Sequence, residues 1–369
     1  MLSDKLSARL IRDGNRALGD GTFEMLSSAA SAIRRWYSTG IPALDVVLSG
    51  KIGRGIPSGR LVELFGDEQT GKTTVSCLLL KEVQRLGGLS VLFDTESTFD
   101  AERARFLGIN VESLVLGTDA YVEAILSAIE VVLKKTQKCP CCVAWDTLAG
   151  TPTSAERSKR AGEYGGGIGD HARVLSNGLR RLTSSLSASE ACLIITNQLK
   201  TGGLMNPFAT ERDREATLGG RAMKFHAYMR VRLHYARKFR WAVDKKAVVI
   251  GDEIEATVVK DKNGPSNIRG RNAILVLRKV GRDAGTFSAS LSALRTLQLW
   301  GVLPAKDPFI FAKKPCTALK WDERYNTEPM FQQCVHALLE AANAKLLRDA
   351  AVLGSGETTT ITDNEEEEL

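Results

Sequence analysis

The sequence predicts an α/β fold: a mostly parallel, twisted sheet with a helical arm before it and a small α/β domain after it. Two observations carry this prediction. Four segments, LVELF (61–65), SVLFDTE (90–96), CCVAWDT (141–147) and ACLIITNQ (191–198), are continuously apolar rather than alternating, the pattern of strands buried on both faces. Longer helical patterns separate such runs from Leu61 to about Leu277, as parallel neighbours require. No apolar stretch approaches the roughly 20 residues of a membrane span, so no membrane role is expected.

The elements follow in order. Residues 1–35 read as a helical arm whose charged, amphipathic start lacks the apolar centre of a signal peptide, so a cytoplasmic location is expected. The odd total of seven scattered cysteines fits free thiols in a reducing compartment. Residues 43–59, ALDVVLSGKIGRGIPSG, read as a turn-laden lead into the first core strand. The core extends over 36–280. Beyond it, residues 281–350 hold a helical pattern, FQQCVHALLEAANAKLL, and form a C-terminal domain. Residues 351–369 end in EEEEL and read as a solvated acidic tail. A net charge of +7 favours a polyanionic partner without identifying one.

The chemistry starts at GDEQTGKTT, 66–74, which follows an apolar strand and precedes a helical pattern. Its spacing is that of a phosphate-binding loop: Gly66 and Gly71 let the backbone wrap an anion, with Asp67, Glu68, Gln69, Thr70 and Thr74 completing the loop. Lys72 supplies a point charge to terminal phosphates and Thr73 a hydroxyl for Mg²⁺, which implies a nucleotide and Mg²⁺ as cofactors. Asp146, at the tip of its strand, is the second metal-side group. SVLFDTEST brings Asp94 and Glu96 to another strand end, where Glu96 either polarises water or caps the next helix. CPCC, 139–142, contains C-x-x-C but has no second Cys/His pair at zinc spacing, and the four histidines form no ligand pattern.

GDEQTGKTT, FDTES with FDAERARFLGI, AWDTLAGTP, IGDHARVLSNGLRRL, ITNQL, GGRAMKFHAYMRVRL and VVKDKN together, in this order, resemble the core of the bacterial RecA recombinases over about residues 40–280. The resemblance implies a RecA-type ATPase core. It makes Glu96 the general base and Gln198 the sensor of the γ-phosphate. It implies that the segment 200–217 binds DNA, with Lys200, Arg212 and Arg214 on phosphates and Leu204, Met205 and Phe208 at the bases. A second DNA loop, 156–170, would place Ile168 at the bases, with Arg173 and Arg180 on the backbone. Lys260 and Lys262 would reach a neighbouring subunit's ATP, and Phe225 would lie in the subunit interface. Where the family stacks a tyrosine on adenine this chain has Arg103, with Asp100 kept as an adenine contact. Nucleotide preference is therefore open.

The implied activity is a DNA-dependent ATPase that forms filaments on single-stranded DNA and pairs it with homologous duplex. Single-strand-binding and loading proteins would be its partners. Alternatives are an ATP-binding regulatory paralogue and a hexameric helicase, which would lack the paired lysines. The departures also leave a phage-encoded copy open. The basic stretch 234–246, with Arg237, Lys238, Arg240, Lys245 and Lys246, is either a second DNA site or a solvated hairpin.

Overall fold

The computed structural model describes residues 2–19, 33–158, 170–201, 215–243, 246–262, 271–305, 308–312 and 314–355. In chain order these form α1 (Leu2–Leu18), β1 (Trp36–Tyr37), α2 (Pro42–Ser49), β2 (Ile56–Pro57), β3 (Arg60–Gly66), α3 (Lys72–Arg85), β4 (Leu89–Asp94), α4 (Ala101–Phe106) and β5 (Leu114–Thr118). There follow α5 (Val122–Lys135), β6 (Cys141–Asp146), α6 (Ser154–Arg157), α7 (Asp170–Ser187), β7 (Ala191–Thr201), β8 (Glu215–Thr217) and α8 (Gly220–His226). The remainder are β9 (Met229–Val243), β10 (Lys246–Asp261), β11 (Asn272–Arg278), β12 (Phe287–Ser288), α9 (Ala289–Leu299), β13 (Phe309–Phe311), β14 (Lys314–Cys316), α10 (Ala318–Thr327) and α11 (Pro329–Ser355). None of the described helices is long and apolar enough to cross a membrane.

The chain divides into two compact units. The first holds residues 1–37, 57–62 and 79–227; the second holds 38–56, 63–78 and 228–369.

In the first unit β5, β4, β6 and β7 lie side by side and parallel, with Ser90 opposite Leu114, Leu89 opposite Cys141 and Cys141 opposite Ala191. The continuous apolar runs are explained by burial: every residue of β6 is buried, including Cys141 and Cys142 of CPCC. Their side chains belong to the sheet. The inner faces of α5 and α7 supply Ile125, Ile129, Leu133, Leu175, Leu179 and Leu182 to a core around Trp145. These residues recur at three- and four-residue spacing, one face of each helix. At Gly178 the helices come so close that a Cβ would stand 2.3 Å from Leu126 Cδ1. Parallel strands all end on one edge. That edge carries Asp94, Asp146 and the end of β7.

In the second unit β9, β10, β11 and β12 are successive antiparallel neighbours. The basic stretch forms the closing half of the β9–β10 hairpin, where Lys246 faces Val243; Lys245 lies outside the described residues. Ile254, Ala256 and Val258 alternate inward. A second core surrounds Trp321, whose ring meets Phe309, Phe311 and Phe331 at tilted or edge-on angles. The lead segment differs from its expected turns in its first half. Residues 42–49 form α2, because Pro42 suits a first helical turn and six apolar residues bury there together with Asp45; Gly50 then ends the helix at φ 84°.

Candidate nucleotide site and its strand-end carboxylates

The strand ends of the first unit bring Glu96, Asp146 and Gln198 together. Asp94 and Asp146 face each other in register at the last positions of β4 and β6. Immediately beyond them, Thr147 Oγ1 donates to Glu96 Oε1 at 2.9 Å, and Gln198 Nε2 donates to the same oxygen at 3.4 Å. Asp146 is 8% exposed and accepts a hydrogen bond from Thr196 Oγ1 through Oδ1. Two neutral donors thus orient the Glu96 carboxylate, and the Thr196 hydroxyl holds that of Asp146.

The choice left open for Glu96 falls away from capping. Asp100 caps α4, accepting from the Glu102 and Arg103 amides at 3.1 Å each. Asp94 in turn accepts the Phe99 amide at 2.8 Å, which closes the loop that presents Glu96. Arg103 stands exposed on α4. On α7, Arg173 and Arg180 are both exposed, and Arg173 pairs with Asp170 at 3.2 Å. Phe225 is 73% exposed at the end of α8. Ile168, Leu204, Met205, Phe208, Arg212 and Arg214 lie outside the described residues, as does the side chain of Lys200.

The second unit contains the phosphate loop. Gly66 has φ 148°, and a Cβ there would stand 1.8 Å from the Leu233 carbonyl oxygen, so only glycine lets β9 and the loop approach. Gly71, at φ 84°, likewise lies where a Cβ would meet the Phe287 ring at 2.5 Å. Gln69 is also left-handed, at φ 58°. Thr70 Oγ1 donates to the Asp67 carbonyl at 2.8 Å; Lys72 Nζ donates to that oxygen and to Gly66 O at 3.1 Å. Lys72 and Thr74 are buried, and Thr73 is exposed at the start of α3. An alternation of left-handed residues with a helix N-terminus directs successive N–H groups to one side, the geometry that holds phosphate oxygens. The residues present therefore fit a nucleotide and its Mg²⁺.

Lys260 and Lys262 follow a bulge in β10 between Val258 and Lys260. Lys260 is half-buried opposite Arg230; Lys262 is exposed. Desolvation lowers the Lys260 pKa to about 8, helped by Lys262 and Arg230 and opposed by Glu63. Arg230 itself pairs with the fully buried Glu63 and lies 4.6 Å over the Phe65 ring. At the basic hairpin, Arg237 and Arg295 bond the two oxygens of buried Glu253 at 2.9 and 2.7 Å, beside a cavity of about 310 Å³ that Lys238 and Arg240 also line.

Sequence reasoning missed Thr147, Thr196, His234 and the Glu63–Arg230 pair. Glu63 gave a signal, a lone charge inside LVELF. The partners of the others are set by tertiary structure alone.

A model of the RecA N-terminal domain matches residues 5–276. The chain belongs to the RecA family. It is 33% identical over 251 residues to Protein RecA of Syntrophobacter fumaroxidans, covering 68% of this chain and 69% of the relative. It is 34% identical over 253 residues to Protein RecA of a Wolbachia species, covering 68% and 66%. Over 239 residues it is 34% identical to DNA repair protein recA homolog 3, mitochondrial, of Arabidopsis thaliana, covering 62% and 50%. The alignments span about two thirds of the bacterial relatives and half of the plant one. Membership in the RecA family makes the phosphate loop part of a nucleotide-binding ATPase fold.

Proposed function

We propose that this chain is a DNA-dependent ATPase that assembles on single-stranded DNA and pairs it with homologous duplex. The observation that carries the reading is the shared grip of Thr147 and Gln198 on Glu96. A carboxylate held in this way at a strand end is placed to take a proton from an attacking water. Gln198 has a second role, because an amide that donates to Glu96 can donate instead to a terminal phosphate. Since Gln198 lies on β7, close before the proposed DNA-binding segment 200–217, that exchange couples nucleotide state to DNA.

The remaining roles are those that the resemblance to the family implies. Gly66 to Thr74 would wrap the phosphates and Lys72 would neutralise them; Thr73 and Asp146 are the groups that would hold Mg²⁺, and Asp100 and Arg103 would flank the base. When bound, Mg²⁺ supplies charge stabilisation at the phosphates. Arg173, Arg180 and Lys200 contact DNA phosphates, joined by residues of the segments 156–170 and 200–217. Lys260 and Lys262 serve a neighbouring subunit's nucleotide, so hydrolysis depends on assembly, and Phe225 packs in that interface. The residues 1–35 link protomers, the core spans 36–280, and a domain of 281–350 precedes an acidic tail that restrains DNA loading. Single-strand-binding and loading proteins in a cytoplasm complete the setting.

The test is ATP hydrolysis by the full chain with and without single-stranded DNA, beside Lys72→Ala. Stimulation by DNA that Lys72→Ala abolishes is expected. A rate indifferent to DNA contradicts the reading. Removing Glu365–Leu369 should speed loading on duplex DNA, and an unchanged rate counts against the tail's role.

A further inference from the structure

The phosphate loop of this chain carries its own carboxylate, and β9 holds it. Asp67 follows Gly66 directly, and its Oδ2 lies 2.8 Å from His234 Nδ1. Because an ionised carboxylate only accepts, Nδ1 carries the proton and donates. The neighbouring residues on the two strands are pressed together as well, since Gly66 abuts the Leu233 carbonyl. His234 and Asp67 are each about half exposed, so no packing requirement accounts for the pair.

The position of Asp67 makes its side chain consequential. Its backbone carbonyl is the acceptor for both Thr70 Oγ1 and Lys72 Nζ, so this residue sits at the hub of the loop's internal bonds. Its carboxylate has the same chemistry as the ligand that the loop's N–H groups are arranged to take. An anion tethered within the loop is a competitor of high effective concentration for those donors. Its charge also opposes that of a polyphosphate held by the loop.

We propose that His234 is a positioning residue of the nucleotide site: through its hydrogen bond it draws the Asp67 carboxylate away from the phosphate-binding N–H groups. The inference rests on the proposed nucleotide binding at the loop. Without the imidazole, Asp67 competes with the β- and γ-phosphates and ATP binds more weakly. Removing the carboxylate as well takes away the competitor. A donor of similar reach, such as an asparagine amide at position 234, keeps most of the effect.

The experiment is calorimetric titration of the full chain with Mg·ATP, for wild type, His234→Ala, His234→Asn, Asp67→Asn and Asp67→Asn/His234→Ala. A hydrogen bond to a charged group sets the scale, so His234→Ala should weaken ATP binding about tenfold. The double variant should recover to within about twofold of Asp67→Asn, as expected when two residues act through each other. A merely structural role for His234 would leave the double variant as weak as His234→Ala, and that result overturns the inference. Wild-type affinity in His234→Ala overturns it too. If wild type itself fails to bind Mg·ATP, the nucleotide-site reading fails first, which separates the two claims. Thermal melting of each variant identifies any loss of fold, and Asp67→Asn alone, at an exposed side chain, provides a second folded reference.

Discussion

Lys260 offers a titration that reads its role directly. Burial, Lys262 and Arg230 bring its pKa to about 8, against the partial support of Glu63. For an ammonium titrating there, the charged fraction is about 0.9 at pH 7 and about 0.1 at pH 9. If the charge of Lys260 serves a neighbour's nucleotide, DNA-stimulated hydrolysis should fall roughly ninefold across that window. Arginine stays charged throughout, so Lys260→Arg should flatten the profile even if its absolute rate is lower. Stability has its own sign: between pH 8 and about 10.5 the unfolded lysine binds a proton that the native one lacks. The native state therefore gains stability as pH rises through that interval, opposite to the activity. The assay is steady-state ATP hydrolysis at saturating single-stranded DNA from pH 6.5 to 9.5, in constant ionic strength. An equal fall in wild type and Lys260→Arg would refute the reasoning.

Two further outcomes are expected. Glu96→Gln should retain ATP binding but lose about 10²- to 10⁴-fold in hydrolysis, since it removes the proton acceptor while keeping the Thr147 contact; single-turnover hydrolysis at the wild-type rate contradicts the base assignment. Arg230→Met takes the guanidinium from the fully buried Glu63 and should cost about 3–5 kcal/mol in urea unfolding, whereas Arg230→Met with Glu63→Leu should recover most of it.

The parallel half of the fold is legible because its physics is local. A strand buried on both faces must be continuously apolar, and Cys141–Asp146 is buried at every position. The strand-end acids are legible for the same reason, since a charge closing such a run stands where the sheet stops. The turn-rich reading of 43–59 misjudged α2, because glycines at 50, 53, 55 and 59 outweighed the short apolar helix that precedes them. What sequence does not display is pairing over distance. Thr147 with Glu96 spans 51 residues, and His234 with Asp67 spans 167. The first follows from β4 and β6 ending in register, Asp94 opposite Asp146, and the second from the close passage of β9 at Gly66; the β9–β10 hairpin adds three register irregularities of its own. The antiparallel pair also alternates polar and apolar residues, so Glu253, buried between Arg237 and Arg295, has the look of an ordinary surface charge.

The central claim is that ATP chemistry here serves the pairing of DNA strands. It is tested most directly by joint-molecule formation between labelled single-stranded DNA and homologous duplex, with wild type, Lys72→Ala and Glu96→Gln. Wild type should form joints only with ATP and a homologous partner, Lys72→Ala should form none, and Glu96→Gln should form joints that persist. DNA-stimulated ATP hydrolysis by wild type without joints, or joints indifferent to homology, would contradict it.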